Sequence, residues 1–101
     1  MKTHVFLPST EITGTVEPGV EGAFTVSPNP VDELVRLHYS FPGLEDLTFE
    51  VADISGRTIY RQELSGPSNT LQFEANWQPG LYIATVFSGG RRLAVEKIFV
   101  K

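Results

Sequence analysis

A chain of 101 residues, 41% apolar and 20% charged, has the length and composition of one small globular domain and is too short for two. Eight lysines and arginines against twelve acidic residues give a net charge of −4, with no basic run to track a nucleic-acid backbone or an anionic membrane. The lack of cysteine excludes disulfides, thiolate catalysis and cysteine-ligated metals.

The opening stretch, MKTHVFLPSTEITG, breaks at Pro8 and turns polar, unlike a secretory leader. It fits a cytosolic protein, or a piece of a longer chain carrying an added methionine. Residues 1–22 are rich in Gly, Pro, Thr and Glu and hold only isolated β-formers such as Ile12 and Val16, so they are expected to form a linker. The other expectation for this segment is a stray edge strand around residues 4–7.

From residue 23 onward, short β-rich runs alternate with turn signals. AFTVS opens the domain. In ELVRLHY, Val35, Leu37 and Tyr39 share one face, with Arg36 and His38 on the other. In LTFEVADI, Leu47, Phe49 and Val51 oppose Thr48, Glu50 and Ala52. TIYRQEL is a weaker run, and TLQFEA pairs Leu71 with Phe73. LYIATVF is apolar on both faces, as a central strand should be, and RLAVEKIFV closes the chain. Between the runs lie Pro42-Gly43, the Asp53-Ile54-Ser55-Gly56 turn, SGPSN, QPGL and the hairpin signal Gly89-Gly90. The expected fold is all-β, an immunoglobulin-like sandwich of about seven antiparallel strands, without the Cys–Trp–Cys signature of true immunoglobulin domains.

No catalytic set emerges, and no enzyme is expected. His4 and His38 are the only histidines, and His38 falls on a polar strand face without metal-ligand spacing. The pairs Asp32-Glu33 and Glu45-Asp46 read as solvated loop charges, and no loop carries a calcium-ligand array. There is no Gly-x-Ser-x-Gly elbow. Trp77, Tyr39 and Tyr60 are expected in the core; two of them coplanar and exposed would instead suggest a sugar-binding platform.

Four elements in fixed order carry a resemblance: PNPVDEL (28–34), VADISGRTIYRQEL (51–64), WQPGLYIATV (77–86) and EKIFVK (96–101). Together they resemble the C-terminal sorting domain of type IX secretion cargo, type A, also called the Por secretion system sorting domain, over about residues 23–101. The motif positions are Pro28, Asn29, Pro30, Asp53, Gly56, Arg57, Pro79, Gly80, Tyr82, Lys97, Val100 and Lys101. Ala52 stands where the family often has an aromatic residue. Pro28 and Pro30 fix φ and remove donors, which suits the start of a strand at a domain boundary.

The resemblance implies a non-catalytic export signal without a cofactor, preceded by a passenger protein. Its partners would be the outer-membrane translocon, a shuttle protein and a surface sortase. The cargo would reach the cell surface or the medium through the periplasm, and the domain would be cut off on export. Small, accessible residues place the expected cut among Gly19, Val20, Glu21, Gly22, Ala23 and Phe24. The last strand is expected at a sheet edge, guarded by Lys97 and Lys101 and able to add to a partner's sheet or to exchange in a homodimer. The alternatives are a fibronectin III-like or carbohydrate-binding adhesion module, and a structural spacer.

Overall fold

A computed structural model describes residues 12–13, 15–27 and 34–101. Within them the chain forms strands β1 (Ile12–Thr13), β2 (Thr15–Val16), β3 (Ala23–Ser27), β4 (Leu34–Ser40), β5 (Leu47–Asp53), β6 (Thr58–Glu63), β7 (Ser68–Glu74), β8 (Gly80–Ser88) and β9 (Arg91–Val100), and no helix. All pairings are antiparallel. One sheet has the order β1-β3-β4-β7 and the other β2-β9-β8-β5-β6.

Period-two alternation sets which side chains face between the sheets. Val35, Leu37 and Tyr39 of β4 are buried, as are Leu47, Phe49 and Val51 of β5, and the residues between them are half-buried or exposed. Phe24 and Val26 join them from β3, and Ala84, Val86, Ile98 and Val100 from β8 and β9, in one core between the sheets. β8, apolar on both faces, lies between β5 and β9, as expected of a central strand.

Two bulges break the alternation. Val51 pairs with Tyr60 but Ala52 with Thr58, so Ile59 is an extra residue, and Ile59 and Tyr60 in succession are half-buried. Val86 pairs with Ala94 and Phe87 with Arg92, so Leu93 is extra, and Leu93 and Ala94 are both buried. Gly89 and Gly90 carry φ of 57° and 88°, the two left-handed positions a tight β8–β9 hairpin needs.

Among the described residues nine strands stand where about seven were expected, and the additional two lie in the segment read as linker. β1 pairs with β3, Ile12 opposite Val26. The chain then changes sheets between Thr13 and Thr15, and β2 pairs with β9, Thr15 opposite Val95. Glu17 fastens this strap: its amide donates to the Leu93 carbonyl at 2.8 Å, and its carboxylate accepts from Arg92 Nε at 3.0 Å. Two-residue strands are too short to leave a periodic trace in sequence.

One expectation is corrected. At Ala94 and Val95, β9 is not an edge, because β8 flanks it on one side and β2 on the other; among the described residues β2 and β6 stand at the two ends of that sheet. The expected strand around residues 4–7 and the Pro28, Asn29 and Pro30 boundary lie outside the described residues.

Candidate functional site

The Asp53–Arg57 turn joins β5 to β6 and is built around one carboxylate. Asp53 Oδ1 accepts from the Ser55 hydroxyl at 2.7 Å and from the amides of Ser55 and Arg57 at 3.0 Å each. Asp53 Oδ2 accepts from Arg57 Nε at 3.2 Å. Aspartate suits this position because its short side chain reaches amides two and four residues on, and Gly56 supplies the left-handed φ of 92° that returns the chain. The Ser55 hydroxyl first, then the Arg57 amide, hold the Asp53 carboxyl below its ordinary pKa.

Sheet register brings the other motif segments to the same end. Asp53 of β5 is opposite Tyr82 of β8, and Tyr82 is opposite Ile98 of β9. Two residues along, Gly80 is opposite Val100. The loop of residues 75–79 leads into this row, where the Tyr82 hydroxyl donates to the Gln78 carbonyl at 2.5 Å. Trp77 packs on Tyr82 with ring centres 5.3 Å apart.

The turn and the loop enclose a cleft of about 410 Å³, with walls that include Asp53, Ile54, Arg57, Ile59, Trp77 and Leu81. Ile54 is 78% exposed at the tip of the turn. Of the motif residues, Asp53, Arg57, Pro79, Gly80 and Tyr82 line the cleft, and Gly56 shapes its turn. Val100 lies beside it through its pairing with Gly80, and Lys101 follows. Lys97 pairs with Ile83 and borders a separate depression with Thr15, Ile83, Val95 and Glu96. Burial holds the Glu96 carboxyl above its ordinary pKa, opposed by the Lys97 amide and charge.

Ile54, Ile59 and Leu81 belong to the cleft although no sequence signal marked them. An isoleucine at the second position of a polar turn was the one clue for Ile54, since nothing in the turn geometry asks for it.

Across the expected cut region, Gly19 and Glu21 are exposed and Val20 is half-buried against the core. Gly22 sits against Phe41, Ala23 starts β3, and Phe24 is buried.

The remaining chemical candidates sit as packing or surface groups. His38 Nδ1 lies 2.6 Å from Thr70 Oγ1 on an exposed strand face. Asp32 and Glu33 lie outside the described residues, whereas Glu45 and Asp46 are exposed. Among the described residues no three His, Asp or Glu side chains gather as a metal site would require. Tyr60 and Phe73 stack at 4.5 Å and 13°, half-buried between Phe49 and Trp77 where edge strands β6 and β7 meet. Tyr39 is fully buried, and its hydroxyl donates to the Ser65 carbonyl at 2.8 Å.

The described residues form a two-sheet sandwich in which three of the spaced motif segments converge on one turn-built cleft. The sequence model of the family described as "secretion system C-terminal sorting domain" matches residues 25–101, and the chain belongs to that family. It is a type IX secretion sorting signal, a non-catalytic kind of domain, and it directs export to the cell surface or the extracellular space. No curated protein and no solved structure matches the chain.

Proposed function

We propose that residues 23–101 are the address read by the outer-membrane translocon and its shuttle protein, and that residues 1–22 tether the passenger. The single observation behind this reading is the convergence of three separate motif segments at one end of the five-stranded sheet: Asp53, Tyr82 and Ile98 share a row, and Gly80 faces Val100. A surface sortase then cuts the tether and joins the passenger to the cell surface. Of the six residues expected to hold the cut, Gly19, Val20 and Glu21 lie ahead of the tightly packed Gly22, so cutting there spares the fully buried residues, which begin at Phe24, and separates from them only the β1–β2 strap with half-buried Val16 and Val20. Strand exchange through β1 and β2 would give the homodimer, which sedimentation at rising concentration would detect.

The test is a secretion assay. A folded fluorescent reporter with its own signal peptide is fused ahead of the whole chain in a host with type IX secretion. Export of this fusion, with retention of one lacking residues 96–101, supports the address. Retention of both, with the domain folded, removes it. Mass spectrometry of the exported reporter locates the new terminus, and a terminus downstream of Gly22 would overturn the proposed cut.

A further inference from the structure

We propose that the cleft beside the Asp53–Arg57 turn binds an acidic, apolar peptide segment of a partner protein, its carboxylate on Arg57 and its apolar side chain against Ile54, Ile59 and Leu81. This rests on the sorting reading and names the chemistry of the partner.

The arginine is the first reason. Its Nε is committed to Asp53, which fixes the guanidinium at the cleft wall. Neither Nη nitrogen has a hydrogen-bonding partner among the described residues, and the side chain is 78% exposed. An arginine held at Nε still presents two parallel donors, the geometry that takes a carboxylate bidentately. Arg61 and Arg92 differ, because their partners Glu50 and Glu17 lie across neighbouring strands outside the cleft.

The sign of the ligand follows from the surroundings. Among the described residues Asp53 is the only acidic one lining the cleft, and both its oxygens already accept hydrogen bonds within the turn. A carboxylate therefore meets donors and no unneutralised negative charge.

The apolar part follows from Ile54. A large aliphatic side chain 78% exposed at a turn tip, beside half-buried Ile59, Trp77 and Leu81, forms an apolar wall around one charged group. The Trp77 indole N–H has no acceptor among the described residues, so it is available to a peptide carbonyl. A short peptide segment combines an apolar side chain, carbonyls and a carboxylate within a few ångströms.

The test uses the whole chain, labelled with ¹⁵N and with ¹³C at isoleucine methyls. The probe is the acetylated, amidated tetrapeptide Leu-Glu-Leu-Asp, compared with its Leu-Gln-Leu-Asn counterpart. Saturable shifts are expected at Arg57 Nε–H, Trp77 Nε1–H and the Ile54 methyls, with about tenfold weaker binding of the neutral peptide, the loss of one charge-assisted contact. Arg57→Gln should abolish that tenfold difference, and Arg36→Gln, on the other sheet, should preserve it. Equal binding of both peptides, shifts away from the cleft, or none at low-millimolar probe overturns the proposal.

In the secretion assay, Arg57→Gln with Ile54→Ser should retain the reporter while the domain stays folded. Export equal to wild type overturns the cleft proposal and leaves the sorting reading standing. Retention of the wild-type fusion overturns the sorting reading, and the peptide titration then still decides whether the cleft binds.

Discussion

Asp53 holds Arg57 at two points, accepting its backbone amide on one carboxylate oxygen at 3.0 Å and its guanidinium Nε on the other at 3.2 Å. The same carboxylate thus closes the turn and aims the arginine. Asp53→Ala is expected to lower the Tm at pH 7 and to lose any cleft-directed peptide binding. A carboxyl with a folded pKa below its unfolded value stabilises above the unfolded value and loses that contribution as pH falls through the folded one. The gap in Tm between wild type and Asp53→Ala should therefore close as pH drops below the ordinary aspartate range, which thermal unfolding by circular dichroism checks. A gap that stays constant with pH would show that the charge contributes nothing.

Glu96 predicts the opposite sign. Its burial raises the folded pKa, so ionisation costs stability above that value, and the cost disappears as pH falls below the ordinary glutamate range. Glu96→Gln should be more stable than wild type at pH 7 and indistinguishable from it in acid. A variant less stable at pH 7 would mean that the Lys97 contacts outweigh burial.

Gly22 tests close packing. A Cβ there would lie 2.4 Å from Phe41 Cδ1 and 2.5 Å from the Ser40 carbonyl oxygen, at a φ of 151°. Gly22→Ala should cost about 1–3 kcal/mol through strain and displacement of Phe41. Gly43→Ala, where a Cβ meets nothing within 4 Å, carries only the conformational penalty of its φ of 79°. Urea unfolding of both should rank Gly22→Ala as the more damaging.

Tyr39 ties the crossover between the sheets to the core. Its hydroxyl donates to the Ser65 carbonyl, and the Phe41 amide donates to the Pro67 carbonyl at 2.7 Å. Tyr39→Phe should cost about 1 kcal/mol, the net worth of one hydrogen bond, and speed amide exchange around residues 65–68. Unchanged exchange there would show that the Phe41 contact alone holds the crossover.

What the sequence disclosed was faces. Val35, Leu37 and Tyr39, or Leu47, Phe49 and Val51, lie one side up because alternation is a local property of extended chain. Neighbours are not local, and there the reading fell short. An edge was expected for β9, yet β2 covers its Ala94 and Val95 from a segment with no pattern of its own. The motif residues Asp53, Tyr82 and Val100 were visible singly, but their convergence needed the β5-β8-β9 order, and Ile54 acquires meaning only beside the cleft. Leu93 and Ala94, buried in succession, depend on a bulge that alternation does not announce.

β2 cannot form before β9 exists. Its two residues, Thr15 and Val16, lie far ahead in sequence of their partners Val95 and Ala94. Closing so long a loop is slow, and the gain from four paired residues is too small to precede the sheets that receive them. The strap's pairing therefore depends on β3 and β9 being in place. A strap of this kind bridges two layers, so it can lie in its observed place only when β3 of one sheet and β9 of the other are both there to receive it.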